Sequence, residues 1–340
     1  MKKTLIAIAS IAAMGAASAA GPTVYGVVDI SVNSTSGAGA ASQTSVADNG
    51  FSTSRFGVKG DMDLGGGLKG IYQYETTVPI STPGAISWGD RGAFAGISGA
   101  FGTVALGRSF TPYAISLFND AMDYDNLSAY WNANYPRIGV HGDYVWQSHA
   151  ISYTTPSFNG LTINAMVSPG GDATNAASTS FELNKKTGAV EATPDGIHGA
   201  SSYTGLGATY GLGALNLTAG WESNKVGSTD VTTTASNVGF AYGFGVATVS
   251  AAFQKADNGS KQDSGWNVSA AIPVGGKYAV QAGYASMTTN LKADTTQTAT
   301  SIVLVNDITA AARLYAGVVS TTATGAANGN AVKAGVRYSF

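Results

Sequence analysis

The sequence contains no cysteine. A disulfide scaffold, a thiolate metal site and a cysteine nucleophile are excluded with it. Charge is scarce as well. Asp, Glu, Lys and Arg make up 11% of the 340 residues, against about 25% in soluble globular proteins. With 18 basic and 20 acidic residues the net charge is −2. No basic excess exists to hold a polyanion, so no nucleic-acid partner is expected. Past the N-terminal segment, no apolar run approaches the roughly 20 residues that a membrane-spanning helix needs. The three histidines, His141, His149 and His198, lack the spacing of a metal site. No G-x-S-x-G elbow occurs, and Gly65-Gly66-Gly67 reads as a turn between strands, not the start of a helix. Without a converging constellation, neither an enzyme activity nor a cofactor or metal is expected.

Glycine is abundant, with 45 residues, and Ala, Thr and Ser are frequent. This composition suits a chain whose outer surface meets something other than water. At the N-terminus Met1, Lys2 and Lys3 precede small and apolar residues from 4 to 17, and Ala17-Ser18-Ala19 offers an A-x-A cleavage site. Residues 1–19 therefore read as a signal peptide and residues 20–340 as one domain. Loss of Lys2 and Lys3 would leave 16 basic against 20 acidic residues, a net charge of −4.

Periodicity supplies the fold class. Val24, Gly26, Val28, Ile30 and Val32 share one parity, as do Val332, Ala334, Val336, Tyr338 and Phe340. The alternates of the second run are Lys333, Gly335, Arg337 and Ser339, so apolar and polar faces repeat at period two. Short Gly-rich turns are expected at residues 61–67, 99–102, 156–160, 211–213, 243–245 and 273–276, with a weaker one at 306–309. Longer polar stretches lie near 34–50, 79–88, 111–146, 169–199, 224–234, 257–263, 290–296 and 321–329. Seven short turns alternating with eight long loops define sixteen antiparallel strands. This is the asymmetry of an all-β transmembrane barrel with short periplasmic turns and long extracellular loops. The inner parity carries Arg55, Lys59, Lys69, Gln73, Glu75 and Arg337. Unpaired charges cannot fill a dry core, whereas a water-filled lumen accepts them. Tyr25, Tyr72, Tyr74, Phe94, Tyr338 and Phe340 lie near strand ends, where aromatic girdles form.

Three segments carry a family resemblance. Thr23-Val24-Tyr25-Gly26-Val27-Val28-Asp29 resembles the first strand of the Gram-negative trimeric porins of the beta-proteobacterial type. Ser54-Arg55-Phe56-Gly57-Val58-Lys59-Gly60, with Asp63-Leu64-Gly65-Gly66-Gly67-Leu68-Lys69, resembles that family's second strand, first turn and third strand. Phe101-Gly102-Thr103-Val104-Ala105-Leu106-Gly107-Arg108, followed by Thr111-Pro112, resembles its fourth turn region and fifth strand. Tyr338 and Phe340 resemble its C-terminal assembly signal. The resemblance implies an outer-membrane homotrimer among lipid and lipopolysaccharide. It also implies a third loop, here residues 111–146, that folds inward and narrows the pore. Small hydrophilic solutes and ions would then cross by passive diffusion. A surface-binding or adhesin-type barrel and a substrate-specific channel are the alternatives.

A channel selects by the width and charge of its constriction. Arg55 lies seven residues from Met62, Glu75 eight from Gly67 and Arg91 eight from Gly99. Equal distances from one rim place the three at one height. Arg108 is a weaker candidate, because its parity with Val104 and Leu106 points it at lipid unless the strand ends or bulges there. Across the lumen the third loop offers Asp120, Asp123 and Asp125, then Arg137 and Asp143. Six aromatics, Tyr113, Phe118, Tyr124, Tyr130, Trp131 and Tyr135, argue that this loop is ordered. The family often has an arginine on strand six where this sequence has Ser152. The combined expectation is a weak anion preference set by Arg55 and Arg91. Asp172, Asp195, Asp257 and Asp263 show no ligand spacing for a divalent cation and read as a solvated loop face.

Overall fold

The computed structural model describes residues 21–37, 40–81, 84, 86–122, 126–133, 145–169, 179–183, 190–194, 202–226, 231–290 and 295–340. The expected signal peptide, together with Asp123, Asp125, Arg137, Asp143, Tyr124, Tyr135, His141, His198, Asp172 and Asp195, lies outside the described residues.

Nearly everything described is strand. In chain order these are β1 (Thr23–Gly37), β2 (Ala40–Asp48), β3 (Arg55–Gly65), β4 (Leu68–Thr77), β5 (Ala93–Gly99) and β6 (Gly102–Phe110). Two short helices follow, α1 (Pro112–Leu117) and α2 (Ala129–Ala133). Then come β7 (Trp146–Thr154), β8 (Leu161–Ser168), β9 (Thr179–Leu183), β10 (Val190–Pro194), β11 (Ser202–Leu212), β12 (Leu215–Val226) and β13 (Val231–Gly243). The last six are β14 (Thr248–Asp257), β15 (Gln262–Gly275), β16 (Tyr278–Thr289), β17 (Thr295–Asp307), β18 (Ala312–Ala323) and β19 (Ala326–Ser339). Neighbours along the chain pair antiparallel, β8 pairs with β11, and β19 closes on β1 through Val27↔Ser339 to Gly37↔Gly329. β2 and β3 occupy one stave, since both pair with β1, through residues 30–37 and 23–27 respectively. β9 and β10 form a separate two-stranded sheet. The barrel therefore has sixteen staves.

All seven expected short turns join paired strands. At Gly65, Gly66 and Gly67 the backbone φ angles are +79°, +62° and +79°. Only glycine adopts three such values in a row at low cost. Two of the expected long loops are shorter than the polar stretches suggested. β1 runs for 15 residues and β19 for 14, beyond the roughly 9–11 that cross a bilayer. Past the lipid both strand faces meet water, so the ladder continues while the alternation disappears. Residues 34–50 and 321–329 are largely hairpin for that reason, and 179–194 includes a hairpin of its own.

Within the bilayer the alternation is sharp. On β17, Ile302 and Leu304 are 54% and 44% exposed, whereas Ser301 and Val303 are 1% and 0%. Val24, Leu106, Ile151, Leu206, Val238 and Val318 are exposed in the same way. An outward Arg or Lys at mid-bilayer would cost about 2–4 kcal/mol, so the outer face is apolar. Tyr72, Tyr74, Tyr338 and Phe340 are outward and exposed. Tyr25 and Phe94 are not girdle residues. Tyr25 donates its hydroxyl to Glu75 Oε2, and Phe94 pairs with Gln73 on the inner parity. Both have the β-propensity of a girdle residue but sit one position out of phase with it.

The second stave is broken at residues 49–54, and Asp29 of β1 organises the break. Its Oδ1 accepts from the Phe51 N–H at 3.2 Å and the Tyr315 hydroxyl at 2.7 Å, and its Oδ2 from the Ser52 N–H at 2.8 Å. Asn49, at φ +62°, accepts the Ser54 N–H on its side-chain oxygen. Phe51 is thereby buried against the Tyr315 ring, with centroids 5.2 Å apart.

The segment between β6 and β7 folds inward. Thr111 caps α1 by accepting the Ala114 N–H, with Pro112 at the first helical position. Ser128 does the same for α2 through the Trp131 N–H. The segment then follows the inner wall. Tyr113 donates to Gln254 of β14, Ser116 to Asn237 of β13, and Ala121 N–H to Ser250 of β14. Gln297 of β17 donates to the Asn132 carbonyl, and Lys333 of β19 to that of Asn126. Asn126 reaches the broken stave, donating to the carbonyls of Asn49 and Phe51, each at 2.7 Å. Apolar clusters fill the space behind the segment. Met122 and Leu127 pack with Phe51, Val303, Val305, Tyr315 and Val319. Tyr113, Leu117 and Tyr130 pack with Ala235, Ala256 and Met287. Each fully buried Leu or Met side chain contributes about 1.5–3 kcal/mol. Residues 111–122 and 126–133 of the third loop are held as a packed structure and not as a tether.

Candidate functional site

The described part of the inward loop lies against the inner wall from β11 to β18. On the wall at β3, β4 and the approach to β5 the chain concentrates charge. Arg55 opens β3, Glu75 lies near the end of β4, and Arg91 stands just before β5. The β3–β4 register places Gly57 opposite Glu75 and Arg55 opposite Thr77. Backbone bonds tie the third member in: Glu75 N–H donates to the Gly92 carbonyl at 2.6 Å, and Arg91 N–H to that of Glu75 at 3.4 Å. Arg91 Nε lies 2.5 Å from Glu75 Oε1, and Arg55 Nε 3.7 Å from Oε2. Tyr25 donates to the same Oε2 at 2.9 Å. The equal turn distances in the sequence correspond to a real meeting of side chains.

Two guanidinium groups share one carboxylate, so the cluster carries a net positive charge. Glu75 is 6% exposed, while the Arg55 and Arg91 side chains keep 23% and 16% of their surface. The anion is tucked in and the cations face the lumen. Their orientation is fixed from behind. Arg55 Nη1 donates to the Thr53 carbonyl at 3.0 Å, and the Arg91 guanidinium lies 5.2 Å from the Trp146 ring centroid. Trp146 stacks on Phe110 at 3.7 Å, and Phe110 meets Phe118 edge-on at 4.9 Å. Trp146 and Phe110 are the two roots of the third loop, so one aromatic line joins the cluster to the loop. Lys59, over the Tyr25 ring, and Arg337, bonded to Ser52, extend the basic surface.

Arg108 escapes the lipid through a bulge. Gly107 pairs with Ala150 and Ser109 with Gln147, so Ser148 and His149 together oppose Arg108. Gly107 has φ +136° and His149 φ +52°. The Arg108 guanidinium donates to the Asp90 carbonyl and the Ser148 hydroxyl, both at 2.8 Å. It flanks the cluster by clamping Asp90, the residue next to Arg91. Asp120 is placed differently from the sequence expectation. Its Oδ1 accepts from the hydroxyls of Ser250 and Ser269 and from the Met122 N–H, so it is turned to the far wall. Asp123, Asp125 and Arg137 lie outside the described residues. Ser152 faces the lumen between Ala105 and Met166.

Several residues of the site escaped the sequence reading. From the sequence Tyr25 reads as a girdle residue, and position 146 only as the end of the third loop. Glu222, 5% exposed on β12, accepts the Tyr203 hydroxyl at 3.0 Å. Its inner parity with Thr218 and Gly220 was the available signal. Phe340 exchanges two backbone hydrogen bonds with Gly26, at 3.0 and 3.1 Å. Its ring lies where a side chain at Gly26 would stand.

A closed sixteen-stave barrel that is apolar outside, polar inside and narrowed by an inward loop is a water-filled outer-membrane channel. Known proteins agree. A profile of the Gram-negative porin family matches residues 4–340, and the chain belongs to that family. Outer membrane porin protein 32 of Delftia acidovorans is 30% identical over 305 residues, 84% of this chain and 80% of the relative. Major outer membrane protein P.IB of Neisseria meningitidis serogroup B is 34% identical over 172 residues, 48% of each. Among solved structures, an anion-selective porin from Comamonas acidovorans aligns with a TM-score of 0.75 at 21% identity, over 94% of this chain and 99% of that one. A trimer form of OmpT from Vibrio cholerae aligns with a TM-score of 0.65 at 18% identity, over 95% and 100%.

Proposed function

We propose that this porin is a passive, weakly anion-preferring channel for small hydrophilic solutes, with its charge filter at Arg55, Glu75 and Arg91. The observation that carries this reading is the two-to-one ratio of guanidinium to carboxylate on the wall at β3, β4 and the approach to β5. Charges at the narrowest point act at short range, whereas loop carboxylates far from it are screened within about 8 Å at physiological salt. Ser152, in place of a further cation, keeps the preference weak, and Asp120, bonded to the far wall, adds little to it. The relative from Comamonas acidovorans is described as anion-selective, and the cluster gives this chain a physical reason to behave likewise. Assembly as a homotrimer in lipid and lipopolysaccharide, after removal of residues 1–19, completes the reading. Tyr338 and Phe340 serve as the assembly signal.

Planar-bilayer recording in a salt gradient tests the filter. Replacing Arg55 and Arg91 with Ala should move the zero-current potential toward cation selectivity. An unmoved potential places the filter elsewhere, and an unaltered protein that never conducts excludes the channel.

A further inference from the structure

The inner wall behind the third loop contains two rows of cross-strand partners that differ from their surroundings. The first runs Asn164, Gly207, Gly220, Asn237 across β8, β11, β12 and β13. Two adjacent glycines leave a gap two strands wide, about 10 Å at the usual strand spacing, between two amides. The first turn of α1 fills it. A methyl group at Gly207 would lie 2.6 Å from the Pro112 carbonyl oxygen and 3.1 Å from its carbon, and one at Gly220 would collide with Ser116 Oγ. Asn237 holds the turn in place: it accepts the Ser116 hydroxyl at 2.7 Å and donates to the Tyr113 carbonyl at 3.2 Å. The second row runs Ser250, Ser269, Gly283, Ser301 across β14 to β17. Ser250 and Ser269 bind Asp120 and the Ala121 N–H, Ser301 donates to Met122 Sδ at 3.4 Å, and a methyl at Gly283 would lie 2.6 Å from that sulfur.

We propose that these rows are sockets that set how far the third loop stands off the wall, and that Gly207, Gly220 and Gly283 thereby fix the bore of the channel. Non-bonded heavy atoms pack favourably near 3.5–4.0 Å, so an oxygen or sulfur 2.6 Å from an added methyl must move away by several tenths of an ångström or more, on the order of the shortfall. At Gly283 the obstacle is the end of a flexible side chain, which can rotate. At Gly207 it is the loop backbone, which relieves the clash by moving off the wall toward the lumen. Gly207 is therefore the main positioning residue. None of the three touches Arg55, Glu75 or Arg91, so bore and charge filter are set by separate parts of the wall.

This inference rests on the channel reading, and single-channel recording separates the two. Absence of conductance in the unaltered protein would sink the channel reading. Given a conducting parent, Gly207→Ala and Gly220→Ala should each lose conductance while the zero-current potential stays put. Ser116→Ala, which removes the nearest colliding atom and leaves Asn237 Nδ2 at 2.9 Å, should recover part of the conductance lost in Gly220→Ala. Gly211→Ala, where an added methyl meets open space, should conduct like the parent. Parental conductance in folded Gly207→Ala would overturn the proposal. So would a loss in Gly220→Ala that Ser116→Ala leaves unrelieved, a comparison that stands even if Gly207→Ala fails to fold.

Discussion

The inner wall has two arcs made from the same kind of strand. From β11 to β18 it presents Ala235, Ala256, Ala285, Ala299, Val303 and the socket glycines, all under the third loop. At β3, β4 and the approach to β5 it presents Lys59, Arg55, Glu75 and Arg91. Strand periodicity says only which residues point inward. What they are depends on what stands opposite, and on the first arc that is the packed, described part of the third loop. An inner face is a core where the loop lies and a polar surface where it does not.

The contrast can be broken hardest on the covered arc. Val303, fully buried against Met122 and Leu127, should not tolerate a charge. Val303→Asp should destabilise the folded protein by about 3–5 kcal/mol, because the carboxylate is buried without a partner. Urea unfolding would show it, and a channel with a displaced loop would be noisier. Next comes Glu75→Gln. Two guanidinium groups lose their shared anion, and the loss should be about 1–3 kcal/mol. The zero-current potential should move toward stronger anion preference, opposite in sign to the arginine variants. Tyr25→Phe should be smallest, about 1 kcal/mol for one hydroxyl. Selectivity should be unchanged, since Glu75 keeps both arginines. A large selectivity change in Tyr25→Phe would mean that the hydroxyl, not the arginines, places the carboxylate.

Sixteen staves, seven tight turns and the Arg55–Glu75–Arg91 cluster were legible in the sequence. Turn position and period two together fix both facing and height, and those three residues lie close to clear turns. Asp120 was not legible, because a loop without a period gives no facing, and its serine partners are more than a hundred residues away. The break at residues 49–54 was hidden for a related reason. Asn49-Gly50 reads as the end of a loop, and only Asp29 from another stave makes it a shaped insertion. Tyr25 and Phe94 were misplaced because an aromatic near a strand end suits either face. Counting from Val24 places Tyr25 inward, and the cross-strand pairing with Gln73 places Phe94.

The Phe340–Gly26 hydrogen bonds lie on the seam where β19 meets β1, the two staves farthest apart along the chain. Every other stave joins a neighbour close in sequence, so most of the sheet can zip by local steps. Among the pairings of barrel staves, the seam alone joins the two ends of the chain, and such contacts carry the largest loop-closure entropy and slow folding most. Until it forms, two strand edges expose unpaired amides, which hydrocarbon does not tolerate. An almost complete ring is thus no resting place in lipid. Closure is a cooperative, late commitment, and a residue that helps the edges find register governs how fast the channel appears more than how it conducts.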